Sequence, residues 1–353
     1  MVKANGSTRL IKSPPITACK RWTFRLITVA VTSLLGILVI IIVMAAKGFL
    51  VLEPESSLPR VQAPPLYLQE PGHDLTGHKY VYDSKLGWCN IPGWQATTHG
   101  NRLTINTLGF RGREITEKKP NNVTRIMILG DSYAWGYGVA DDEVFPSVLE
   151  KDLNQTGRRF EVLNTGVSGW GTDQQYLFYV HQGQKFEPDI VVLAFFLIND
   201  PKNNIFSTQY GLNKPLFLDT DLTLGNVPVP KPDDVSFRKT STADPVSLTL
   251  AIVRELAGLC SRQNRPLIVL KFGLFLRPPG ADLYQYDRQF KTAMTQMPNL
   301  HFLDLDQAFL HRLISKQQLL VGNDDGHWNA FGHRVTAEVL AQYITEQLEF
   351  ERW

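Results

Sequence analysis

Four widely separated stretches of this chain end on groups that suit serine acyl chemistry. Ser132 lies in Gly130-Asp131-Ser132, directly after the apolar run Ile126-Met127-Ile128-Leu129. Gly169 closes the turn Asn164-Thr165-Gly166-Val167-Ser168-Gly169, and Asn199 sits in Ile198-Asn199-Asp200. His327 follows Asp324 by three residues in Asp324-Asp325-Gly326-His327-Trp328-Asn329. A hydroxyl attacks an acyl carbon when a base takes its proton and a carboxylate holds that base in one tautomer. Donors must also face the oxyanion, and losing one costs roughly 100- to 1,000-fold in turnover. Each residue also has a plainer use. Asp131 and Ser132 suit a helix N-cap, Gly169 and Asn199 suit turns, and His327 suits a surface position near a helix start.

The elements that would bring these stretches together are legible as a rhythm. Strand-length apolar runs occur at 125–129, 160–163, 189–196, 266–272 and 301–305, with helical patterns at about 141–155, 172–184, 246–262, 283–296 and 329–349. Such alternation predicts an α/β fold with a mostly parallel sheet covered on both faces. Ligands of such sheets collect beyond the carboxyl ends of the strands, where the polar stretches fall. Residues 78–122 read as a small N-terminal extension of short strands. Residues 201–244, rich in Pro, Gly and polar side chains, read as an insertion facing the substrate or closing over it.

The chain of 353 residues has a formal net charge of +2, unevenly placed. Residues 1–25 carry Lys3, Arg9, Lys12, Lys20, Arg21 and Arg25 and no acid, a basic tail that leaves the remainder acidic. No basic face for nucleic acid is expected in the folded part. Leu26 to Ala46 is free of charge, and as a helix it would span about 31 Å, the thickness of a bilayer core. It is longer than the apolar part of a signal peptide and lacks a good cleavage site, so an uncleaved transmembrane helix is expected. The basic tail would keep the N-terminus cytoplasmic and place the rest in the periplasm or outside the cell. Residues 47–77 read as an extended linker. Cys19 falls in the tail, whereas Cys89 and Cys260 fall in the exported part, where a disulfide is one option.

Gly-Asp-Ser-Tyr at 130–133, Asn-Thr-Gly-Val-Ser-Gly at 164–169, Phe-Leu-Ile-Asn-Asp at 196–200 and Asp-Asp-Gly-His-Trp-Asn at 324–329 resemble the four blocks of the SGNH (GDSL-type) hydrolases. The resemblance covers about residues 123–350. It implies a three-layer α/β/α sandwich with a flavodoxin-like sheet. It also implies Ser132 as nucleophile, His327 as base and Asp324 as orienting acid, with Asp325 the second choice. The N–H groups of Ser132 and Gly169 and the amide of Asn199 would form the oxyanion hole. Tyr133 stands where the commonest block has leucine, and Leu197-Ile198 replaces the usual Gly-Gly or Gly-x before the asparagine. Both departures bear on substrate shape more than on the reacting groups.

Other patterns carry less. Gly136-Tyr137-Gly138 lacks the third glycine of a dinucleotide fingerprint, and no Gly-x-Ser-x-Gly elbow surrounds Ser132. His327 and His333 are spaced too far apart for a helical zinc pair, and His333 reads as a helix-face residue. No cofactor and no metal are expected. Asn122-Val123-Thr124 and Asn154-Gln155-Thr156 match the glycan acceptor pattern. The expectation is therefore a membrane-anchored, outward-facing serine esterase acting on small esters or O-acetylated polysaccharide. Trp135, Tyr137, Trp170 and Trp328 are candidates to stack on sugar rings. An O-acetyltransferase using the same groups is the second reading, and a non-catalytic polysaccharide-binding or assembly protein is the third.

Overall fold

The computed structural model describes residues 72–73, 79–98, 100–232, 234, 239–276, 281–312, 314, 316–319 and 326–348. The basic tail, the apolar segment 26–46, Cys19, most of the linker, and both Asp324 and Asp325 lie outside the described residues. Among the described residues, no helix is long and apolar enough to cross a membrane.

Five strands build the central sheet: β1 (Thr124–Leu129), β2 (Phe160–Asn164), β3 (Ile190–Phe196), β4 (Leu267–Phe272) and β5 (Leu300–Asp304). Their order is β5-β4-β3-β1-β2, and each neighbouring pair is parallel. This is the doubly wound order, in which the chain leaves β1 toward one edge and returns on its other side as β3. The helices used below are α1 (Ser132–Trp135), α2 (Phe145–Asn154), α3 (Thr172–His181), α4 (Asp200–Asn204), α5 (Pro245–Arg262), α6 (Ala281–Met294), α7 (Leu305–His311) and α8 (Ala330–Gln347).

Strand alternation divides the core into two layers. Met127, Leu129, Val191, Leu193, Phe195 and Val269 pack with side chains of α3, α5 and α6. Ile126, Ile128, Val192, Ala194, Ile268 and Leu270 pack with side chains of α2, α7 and α8. Both faces are covered, so the strands read as unbroken apolar runs, and each fully buried Ile, Leu or Val contributes about 1.5–3 kcal/mol. Local chemistry fixes the helix starts. Asp244 caps α5 by accepting from the N–H groups of Val246 and Ser247, and Asn329 caps α8 through Gly332. No side chain of the preceding residue caps α2. Nδ1 of His333, buried on α8, accepts from its first N–H, that of Phe145, at 3.3 Å. Burial holds His333 far below the usual histidine range, at about 3, so it stays a neutral acceptor.

The N-terminal extension forms two antiparallel pairs, Lys79–Asp83 with Gly87–Asn90 and Gln95–Thr98 with Asn101–Thr104. Tyr80, Leu86 and Trp88 join the same core layer as α3. The insertion holds α4 and two small hairpins, Thr208–Gln209 with Leu212–Asn213 and Leu216–Phe217 with Leu224–Gly225. Fully buried Lys214 ties it down. Its ammonium pairs with Asp173 in the first turn of α3 and donates to the carbonyls of Asn203, Phe206 and Pro215. Cys89 and Cys260 are free thiols, so the disulfide option is not taken.

Candidate active site

β1 ends at Leu129, and the next three residues turn into α1. Gly130 is needed for closeness rather than for a left-handed φ: a Cβ there would stand 2.5 Å from the Ala134 Cβ and 3.1 Å from the Ala194 Cβ. Asp131 caps α1, its Oδ1 accepting from the Tyr133 N–H at 2.9 Å. The capping reading of Asp131 therefore holds, and the cap fixes Ser132 as the first residue of the helix. Ser132 is partly exposed, and its Oγ lies 2.8 Å from Nε2 of His327 across 195 residues of sequence. The sheet and the start of α8 bring the predicted hydroxyl and imidazole into hydrogen-bond contact.

The turn after β2 runs beside α1. Thr165 N–H donates to the Ile128 carbonyl at 3.1 Å and Val167 N–H to the Gly130 carbonyl at 3.2 Å. Two residues on, Gly169 is buried with φ of 82°, a conformation that excludes most side chains, and a Cβ there would meet the Tyr210 ring at 2.9 Å. Asn199 is the N-cap residue of α4, but its side chain makes no capping bond and is left for other work. It helps hold the Asp131 carboxyl in its charged form, although Asp131 Oδ2 accepts no well-aligned hydrogen bond among the described residues.

Asp131 and Asp200 give this end of the sheet its electrostatics. Burial is the main cause that lifts Asp131 to about 6, against the Tyr133 N–H, the positive potential of His327 and the Asn199 amide, which favour the anion. Asp200 accepts from Phe196 N–H and the Thr172 hydroxyl, both at 3.2 Å, and its Oδ1 has no partner among the described residues. Burial, and then the charge of Asp131, push Asp200 well above the usual carboxylate range. Two buried carboxyls, the second raised further by the charge of the first, therefore stand behind Ser132.

Sequence reasoning missed the residues that hold these groups. Tyr133, the departure from the commonest block, donates its hydroxyl to the Gly326 carbonyl at 2.6 Å and so ties α1 to the histidine loop. The rings of Tyr133 and Tyr137 lie 4.9 and 4.7 Å from the imidazole centre of His327. Buried Arg111 closes the other end of α1, donating to the carbonyls of Trp135, Gly136 and Val139 and pairing with Asp141 at 3.1 Å. Asn164 donates to the Ala134 carbonyl at 2.8 Å, and Asn90 accepts from the Trp135 indole at 3.1 Å. One expectation is corrected. Trp135, Tyr137, Trp170 and Trp328 are at most 8% exposed and belong to the core, so none of them presents a face to a sugar. No group of three or more His, Cys, Asp or Glu able to hold a metal occurs among the described residues.

The model of the GDSL-like Lipase/Acylhydrolase family matches residues 128–335, well over half of the chain. No curated protein matches the sequence. Solved structures that resemble the fold include the lipase/acylhydrolase from Enterococcus faecalis, at 17% identity and a TM-score of 0.41 over 62% of this chain and 94% of that one. The psychrotrophic esterase EstA from Pseudoalteromonas sp. aligns at 15% identity and a TM-score of 0.44, covering 64% of this chain and 98% of its own. The acetyl xylan esterase AlAXEase aligns at 15% identity and a TM-score of 0.43, covering 62% and 99%. With its family model matched from the end of β1 into α8, this chain belongs to the GDSL-like lipase/acylhydrolases and is a hydrolase of that family.

Proposed function

We propose that the protein is a membrane-anchored, extracytoplasmic serine esterase that removes O-acyl groups, O-acetyl above all, from cell-envelope carbohydrate. The observation that carries the catalytic part is the 2.8 Å contact between Ser132 Oγ and His327 Nε2. In this reading His327 takes the hydroxyl proton as Oγ bonds to the ester carbon, and the carbonyl electron pair moves onto the oxyanion. The N–H groups of Ser132 and Gly169 and the Asn199 amide receive that charge. Collapse of the intermediate expels the sugar alcohol, which takes the proton from Nε2, and leaves an acyl-Ser132. Water, deprotonated by His327, then releases the carboxylic acid. Nδ1 is the atom a carboxylate would hold, a place that the family resemblance assigns to Asp324, with Asp325 the second choice.

The outward orientation rests on the charge-free segment 26–46 behind a tail of six basic residues. Such a tether suits a polymeric substrate that stays near the membrane. The test is hydrolysis of p-nitrophenyl acetate and of O-acetylated oligosaccharides by detergent-solubilised full-length protein, beside Ser132→Ala. Acetate release by the wild type and its loss in the variant are expected. Equal rates in the two proteins overturn the reading, and transfer of acetyl to an added oligosaccharide in preference to water replaces hydrolase by transferase.

A further inference from the structure

Two bulky residues of the insertion, Tyr210 and Leu222, stand in a left-handed conformation that their side chains disfavour, with φ of 49° and 59°, and Tyr210 is the one that lies against Gly169. Thr208–Gln209 and Leu212–Asn213 pair as a hairpin, which leaves Tyr210 and Gly211 as its two turn residues. Both are left-handed, with φ of 49° and 79°. Such two-residue turns favour Asn-Gly, because an asparagine tolerates the angles that crowd the Cβ of a tyrosine. The ring is not there to fill a core. Tyr210 is 59% exposed, the most exposed large apolar side chain among the described residues. Its ring edge packs on Gly169, with Cδ2 and Cε2 2.9 and 3.0 Å from where a Cβ would stand.

The mount is firm. Lys214, just past the hairpin, donates its N–H to the Ser207 carbonyl at 2.8 Å and pairs its buried ammonium with Asp173. Asp173 lies in the first turn of α3, which begins three residues after Gly169. Hairpin and Gly169 turn are therefore fastened to the same helix start. Backbone strain of this kind persists where the placed group is used. An exposed aromatic face offers apolar area and a negative π-surface at little cost in side-chain freedom.

We infer that Tyr210 is a substrate-binding residue whose exposed ring stacks on the pyranose that bears the scissile ester, so that the insertion selects carbohydrate esters. The inference rests on the esterase reading, with Gly169 beside the reacting carbonyl. It assigns to the insertion the role that the four buried aromatic residues do not fill.

The test uses full-length protein carrying Ser132→Ala, so that bound ester persists, and calorimetric titration with O-acetylated xylo-, manno- and gluco-oligosaccharides. Adding Tyr210→Asn keeps the left-handed turn and removes the ring. The dissociation constant of the best-bound sugar is expected to rise about tenfold, a change of about 1.4 kcal/mol, and to stay within threefold in Tyr210→Trp. The thermal midpoint of Tyr210→Asn is expected at or above that of the parent, since asparagine suits the turn. In the Ser132 background, kcat/KM is expected to fall at least fivefold more for the acetylated sugar than for p-nitrophenyl acetate. No sugar binding by the parent, an unchanged dissociation constant, or equal falls on both esters overturns the inference. Failure of the esterase reading shows separately, as full ester hydrolysis by Ser132→Ala.

Discussion

The start of β1 and the turns that follow β1 and β3 bury charge in opposite ways. Arg125 is fully buried at the start of β1, yet its guanidinium is saturated. Nε and Nη2 reach Glu161 at 2.7 and 2.5 Å, Nη1 donates to the carbonyls of Glu117 and Phe186, and Nη2 also donates to that of Thr116. The Arg125 N–H reaches Asp189, which also pairs with Lys119. In the turns after β1 and β3, Asp131 and Asp200 are equally buried, and each keeps an oxygen with no hydrogen-bond partner among the described residues. An unpartnered buried carboxylate is costly, so its pKa rises. Paired charge at the start of β1 holds the chain together, and perturbed charge behind Ser132 marks the candidate site.

That contrast gives predictions in order of size. His327→Ala is expected to lower kcat by roughly 10,000-fold or more while urea unfolding changes by less than about 1 kcal/mol, as for groups that act only as a catalytic unit. Asn199→Ala is expected to cost roughly 100- to 1,000-fold in kcat with little change in KM. Arg125→Ala should do the reverse: a loss of about 3–5 kcal/mol in urea unfolding, because buried Glu161 keeps only its 3.5 Å contact with Arg113, with kcat and KM of the folded fraction unchanged. A large fall in kcat for Arg125→Ala would break the comparison.

Two smaller effects have opposite signs in one pH window. Asp131 titrates near 6 in the fold, above its ordinary 3.8, so the folded chain holds a proton that the unfolded chain releases. Its contribution to stability is full below 3.8 and is lost as pH rises toward 6. His333 titrates near 3 in the fold against 6.5 ordinarily, so its contribution is full above 6.5 and is lost as pH falls toward 3. Asp131→Asn and His333→Asn should therefore change the pH slope of the unfolding free energy, measured by urea titration at each pH, in opposite directions, each by at most about 1.4 kcal/mol per pH unit. Slopes of the same sign would contradict the two burials.

The strands were legible because a parallel strand covered on both faces is apolar throughout. The run read at 125–129 is Thr124–Leu129, and that at 189–196 is Ile190–Phe196. Short helices such as α1, α4 and α7 escaped, since single caps and tertiary contacts make them rather than periodicity. The contact between Ser132 and His327 was readable because each sits in a short quotable block beyond the sheet. Arg111 and Asn90 were not, because they reach α1 from the N-terminal extension and no local spacing announces a distant carbonyl or indole. Aromatic type misled for a related reason: Trp170 and Tyr210 read alike in sequence, and only packing tells a core residue from an exposed one.

The most direct test of the account is the rate at which a fluorophosphonate labels full-length protein, followed by intact mass and by mapping of the modified residue. An activated hydroxyl at 132 predicts a single adduct on Ser132, none in Ser132→Ala, and labelling of His327→Ala slowed more than 100-fold. An adduct elsewhere in the chain, or Ser132 labelled as fast without His327 as with it, would contradict it.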